Sequence, residues 1–144
     1  MIALWRKVRR AAPQERALAL EALATLVAAR LAVWLLPFAT ARRLLERYAR
    51  FSRAAPRTSE RVAWAVAAAA RRLPAPFRDC LPQALAAETM LKRHGAPAEL
   101  VIGARPAPAG GRIEAHAWVL SGERVVVGWL DDLPSFVPLA GSGP

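Results

Sequence analysis

The sequence predicts an α+β fold: a helical N-terminal segment packed on a small core, in which a helix bearing the chain's one cysteine lies against a short antiparallel sheet. Three observations carry that prediction. Apolar residues recur at intervals of three and four through residues 14–72, the period changes from residue 78, and the pair Ser121–Gly122 joins two β-branched runs. At 144 residues the chain has room for one domain, with a helical part at 1–73 and the core at 77–138.

The elements follow in order. The run 17–39, "ALALEALATLVAARLAVWLLPFA", reads as the first helix and breaks at Pro37. Thr40 is placed to cap a second, "ARRLLERYARFSR", whose Leu44, Leu45, Tyr48 and Phe51 share a face. "AAPRTSE" is a connector, and Thr58 or Ser59 caps a third helix through "ERVAWAVAAAARRL". "PAPF" breaks the chain again at 74–77. The fourth helix starts near Asp79, carries Pro82 in its first turn and stops at Gly95. Strands are expected over "AELVIGARP", "RIEAHAWVL" and "ERVVVGW", the last two forming an antiparallel hairpin. The tail from Leu130 reads as loop, and no internal repeat is present.

Composition narrows the function classes. A hydrophobic fraction of 55% excludes intrinsic disorder. Lys and Arg number 21 against 11 acidic residues, and the net charge of +10 favours acidic partners: nucleic acid, anionic lipid or an acidic peptide. The arginines are spread over all the helices with no aromatic-interleaved basic patch, so a nucleic-acid partner is not expected, although a basic scaffold remains the non-enzymatic alternative. A single cysteine excludes an internal disulfide, no residues have zinc-ligand spacing, and no cofactor is expected. These features fit the cytoplasm. "MIALWRKVRR" is basic, but no clean signal-peptide pattern follows it. The first helix is long enough to cross a bilayer, yet Glu21 and Arg30 interrupt it, and a charge near the bilayer centre costs about 2.5–3.5 kcal/mol. A helix buried against the domain is the preferred reading. Peripheral membrane contact through this helix and its basic flank is the other.

Chemistry concentrates on Cys80. It lies in the first turn of its helix, where free N–H groups and the helix dipole favour a thiolate, and Arg78 is two residues away. A thiolate nucleophile needs a base, and the chain has two histidines. His94 lies fourteen residues along the same helix, about 20 Å away, and is expected to act as a C-terminal cap. His116 sits mid-strand in "EAHAWV", where alternation puts Glu114, His116 and Trp118 on one face and Ala115, Ala117 and Val119 on the other. If the first face looks toward the helix, the imidazole meets the thiol.

The stretch "FRDCLPQALAAETMLKRHGAPAELVIGARP…IEAHAWVLSGERVVVGW" resembles the leader peptidase of lasso-peptide biosynthesis, a transglutaminase-like cysteine protease. The likeness is most specific in "GAPAELVIG" followed by "AHAWV", and the Ala/Leu/Arg-rich helices in front extend it over nearly the whole chain. The resemblance implies a transglutaminase/papain-like core, Cys80 as nucleophile and His116 as base. It further implies removal of the leader from a ribosomally made precursor peptide, a separate leader-recognition protein, and a lasso cyclase that closes the macrolactam afterwards. The same Cys–His pair could instead pass its acyl group to an amine. The sequence departs from the family at two points: Gly128 stands about where an imidazole-orienting acid is expected, and Leu120 replaces a Glu. Asp131 is the first candidate for the missing acid, with Asp132 and Glu114 as the others.

Overall fold

A computed structural model describes residues 13–139. Helix α1 spans Pro13–Leu35 and buries Leu18, Ala22, Thr25, Leu26 and Ala29, the three-and-four spacing of a single apolar stripe. By length and hydropathy it matches a membrane span, but this stripe lies against α3 (Ser59–Ala70) and α4 (Cys80–Arg93). Its two interrupting charges both have partners within the fold: Glu21 meets Arg93 and His94, and Arg30 meets Asp79.

Helix α2 (Phe38–Phe51) differs from expectation at its start. It begins two residues before Thr40, with Pro37 at the cap position. A proline there lacks only an N–H that no helix bond would use, and its carbonyl accepts from Ala41 N at 3.0 Å. The buried residues are Ala41 and Ala49, with Leu45 packed against the core, whereas Leu44, Tyr48 and Phe51 are exposed. Small side chains let α2 lie close to α4, and Arg42 reaches the buried carboxylate of Glu88 at 3.2 Å. Lys92 meets the same carboxylate at 2.9 Å, so Glu88 is buried in company. Helix α3 starts as read from the sequence, with Thr58 Oγ1 accepting from Arg61 N at 3.3 Å.

Helix α4 is the centre of the fold. It is buried from Ala84 to Leu91, touches α1, α2 and α3, and packs on β2 (Ile113–Ser121). Gly95, at φ 77°, turns the chain out of the helix, a conformation that costs an L-residue about 1 kcal/mol or more. The chain then enters β1 (Glu99–Pro106), which pairs antiparallel with β2 along its whole length. A two-residue turn at Gly122 and Glu123 leads into β3 (Arg124–Val127), as "SG" indicates.

The tail departs from its reading as loop. Val137–Pro138 form β4, a short edge strand pairing with Gly103 and Ala104 of β1, so the antiparallel sheet has four strands in the order β3-β2-β1-β4. Two residues are too few to show a period of two.

The sheet has two covered faces. Ala117, Val119, Leu100 and Ile102 face the helices in one cluster with Leu26, Val66, Leu85 and Met90. Val101 and Trp118 face the other way, covered by Leu133 and Phe136 from the tail. Trp118 lies flat over Gly103: a Cβ built there would sit 2.7 Å from the indole Cη2. Bulky Trp118 takes the tail side, while small Ala117 and β-branched Val119 let the alanine-rich α4 approach the sheet.

Candidate active site

Cys80 is the first residue of α4, half-buried and packed against the helix-side cluster. Asp79 holds the cap position, but its carboxylate makes no capping bond. It pairs instead with Arg30 Nη1 of α1 at 3.0 Å. Pro82, the third helical residue, has no N–H, so the first-turn donors are those of Cys80 and Leu81. Arg78, expected to act beside the thiol, is turned back: its Nε donates to Leu73 O at 3.0 Å, and its carbonyl accepts from Gln83 Nε2 at 2.6 Å. The cation that reaches the residue next to Cys80 is therefore Arg30.

His116 lies in the middle of β2, opposite Gly103. Its ring stacks on Trp118 at 6.1 Å with 20° between planes and meets Phe136 at 5.6 Å. Nε2 lies 2.7 Å from the carbonyl oxygen of Gly128. A carbonyl only accepts, so Nε2 carries the hydrogen in this contact and the lone pair of the neutral ring sits on Nδ1. Among the described residues, Nδ1 has no hydrogen-bond partner.

At Gly128, about where the resemblance implied an acid, a backbone oxygen takes up the contact with the imidazole. It holds φ 86°, and a Cβ there would lie 2.7 Å from Ala117 O. Only glycine brings the chain this close to β2.

The three candidate acids fare differently. Asp131 is exposed, with no hydrogen bond or ion pair among the described residues. Asp132, its neighbour, hydrogen-bonds to Arg105 Nη1, and Arg105 Nε donates to Glu114 at 2.9 Å. Arg105 also stacks over Phe136 at 4.2 Å and donates to Ser135 Oγ at 2.7 Å. The hydrogen bond from Arg105 is the main reason that the Asp132 carboxyl is held below the usual carboxylate range, and the charge of a protonated His116 acts in the same direction. The bonds to Asp132 and Glu114 in turn raise the Arg105 guanidinium. Asp132 is therefore the acid with an electrostatic link to the imidazole, with Glu114 tied to the same arginine.

His116 and Cys80 are not joined. No hydrogen bond connects the thiol to the imidazole, which projects from the tail face of the sheet while Cys80 packs on the helix face. The expectation that the Glu114–His116–Trp118 face looks toward α4 is corrected here. Alternation divides these residues as read, but the helix takes the Ala117–Val119 face because those side chains are the smaller ones.

His94 holds the C-cap position of α4, as expected, and is also a buried cross-link. Nδ1 lies 2.6 Å from Ala55 O, and Nε2 lies 2.9 Å from a Glu21 carboxylate oxygen. Both ring nitrogens face acceptors, an arrangement that the imidazolium form satisfies. Neither nitrogen is left for catalysis.

Sequence reasoning missed Arg30, Arg105, Phe136 and the Gly128 carbonyl. Arg105 faces Glu114 directly in the β1–β2 register, so the strand pairing alone would have found that pair. The contacts of Arg30 and Phe136 have no local sequence signal. A groove of about 640 Å³, lined by Arg50, Arg53, Lys92 and Pro97 among others, lies at the other end of α4 and touches neither Cys80 nor His116. A family model described as the transglutaminase-like superfamily matches residues 22–141. No curated protein and no solved structure matched the chain.

Proposed function

The chain belongs to the transglutaminase-like superfamily, and from that premise we propose that it is a cysteine endopeptidase removing the leader from a ribosomally made lasso-peptide precursor. Its partners in this reading are a separate leader-recognition protein and, downstream, a macrolactam-forming cyclase. Activity of the cysteine protease or acyltransferase type is what the superfamily brings. The restriction to leader cleavage rests on the likeness of "GAPAELVIG" and "AHAWV" to the lasso leader peptidases.

One observation carries the assignment of roles. The chain's single cysteine opens the central helix, and of its two histidines only His116 keeps a nitrogen without a partner among the described residues. In the proposed reaction His116 Nδ1 takes the proton of the Cys80 thiol, and the thiolate adds to the carbonyl carbon of the scissile amide. The resulting oxyanion takes hydrogen bonds from first-turn N–H groups of α4, those of Cys80 and Leu81. Protonated His116 Nδ1 delivers its proton to the leaving amine as the C–N bond breaks. Water, deprotonated by the same nitrogen, then hydrolyses the thioester and restores the thiol. Gly128 O holds the other ring nitrogen throughout. These steps require Cys80 Sγ and His116 Nδ1 within hydrogen-bond reach, a contact that the free chain does not make. The free chain holds the two residues on opposite faces of the sheet, so the reading includes a rearrangement on precursor binding that brings them together.

Mass spectrometry of the precursor, incubated with this chain and the recognition protein, tests the proposal. Wild type should release the leader with addition of one water, and Cys80→Ala should release none while keeping its circular-dichroism spectrum. Cleavage retained by Cys80→Ala would falsify the reading. A leader-amine conjugate in place of the hydrolysed leader would replace it with acyl transfer.

A further inference from the structure

We infer that Arg30 is a positioning residue for Cys80, holding the Asp79 carboxylate away from the N-terminus of α4. The inference rests on the reading of Cys80 as nucleophile and concerns a residue on a different helix.

Aspartate at a cap position ordinarily turns its carboxylate onto the N–H groups of the first turn. Asp79 does not, although its backbone is extended in the usual way for a cap, at φ −60° and ψ 150°. Its Oδ2 is instead 3.0 Å from Arg30 Nη1. Arg30 is in turn held by its surroundings: its guanidinium lies 4.2 Å over the Trp34 ring, and Trp34 meets Phe77 edge-on at 6.1 Å. Its Nε is buried with no acceptor among the described residues, so the side chain is kept here at the expense of a hydrogen bond. With Asp79 exposed, the ion pair contributes little to stability, and the orphaned Arg30 donor subtracts from it, so the pair is not explained by stability.

The consequence for Cys80 is chemical. A carboxylate turned onto the first turn would occupy the N–H group of Leu81, the one in a cap residue's usual reach because Pro82, the next, has none. It would also place a negative charge beside the sulfur and disfavour the thiolate. Arg30 removes both effects by drawing the charge outward and neutralising it. Of the other charged residues near the helix start, Arg78 is bonded back to Leu73 O and does not substitute for Arg30.

The test is the rate of Cys80 alkylation by iodoacetamide in the intact chain at one neutral pH. Arg30→Met should slow it about tenfold. Arg30→Met combined with Asp79→Asn should recover the rate of Asp79→Asn alone, because the freed charge is then absent. Arg30→Lys, which keeps a cation, should stay within about threefold of wild type. A wild-type rate in Arg30→Met overturns the inference, as does a double variant as slow as Arg30→Met. Thermal melts identify any unfolded variant, and Arg30→Lys against Arg30→Lys/Asp79→Asn then carries the comparison, with unequal rates overturning the inference. Precursor cleavage is scored separately. A chain that cleaves nothing yet shows the Arg30 dependence overturns the leader-peptidase reading and keeps this one.

Discussion

The two histidines occupy opposite kinds of site. His94, at the end of α4, is buried with both ring nitrogens engaged, one on Ala55 O and one on Glu21, tying the connector and α1 to the central helix. His116, in the middle of β2, is half-buried and anchored by one nitrogen on Gly128 O. The same side chain is a cross-link where every polar atom is satisfied and a candidate base where one is left over. Residue type does not distinguish them; the number of free nitrogens does.

Exchanging the effects of the two residues is the strongest way to break this comparison. His116→Ala should lower precursor cleavage by about a thousandfold, the range of a lost general acid–base, with little change in melting temperature. His94→Leu should do the reverse: about 3 kcal/mol of stability lost, since Glu21 keeps only Arg93, and cleavage per folded molecule retained. Denaturant melts and single-turnover cleavage on both variants decide it. A stability loss in His116→Ala with activity intact would reverse the roles.

Gly128→Ala sharpens the same contrast at the anchor. A Cβ overlapping Ala117 O, on a backbone at φ 86°, should cost about 2–3 kcal/mol and shift the carbonyl away from His116. Cleavage should fall beyond the loss of folded protein. If the melting temperature falls while cleavage per folded molecule is kept, the carbonyl is not the anchor.

The smallest effect concerns Asp132. Its carboxyl is held low chiefly by its hydrogen bond from Arg105, so the pair contributes stability at neutral pH that is lost only as acid protonates the carboxylate. The sign is that of a depressed acid: the contribution is full above the ordinary carboxylate value of about 4 and disappears below it. An NMR titration of Asp132 in wild type and Arg105→Gln should show the midpoint rising in the variant. An unchanged midpoint would remove Arg105 as the cause.

How far the sequence reaches can be judged residue by residue. Thr58 as a cap, Gly95 as a stop and Ser121–Gly122 as a hairpin are local, each set by side-chain reach or by the freedom of a glycine, and the structure has them where the sequence puts them. Thr40 is not the cap because a proline three residues earlier can hold the cap position itself. On α2 the face shared by Leu44, Tyr48 and Phe51 is exposed, and close packing on α4 selects Ala41 and Ala49. Strand β4 was invisible because its pairing with β1 joins residues more than thirty positions apart.

The site divides along the same line. Local sequence determined that Cys80 opens a helix and that His116 shares a strand face with Glu114 and Trp118, because capping and strand alternation act over a few residues. Only the tertiary structure decided which sheet face the helix covers, that a glycine carbonyl meets the imidazole, that Asp132 rather than Asp131 is tied in, and that Arg30 takes the Asp79 carboxylate. Each of these depends on side-chain volume and charge meeting across elements far apart in the chain, where no local pattern records the partner.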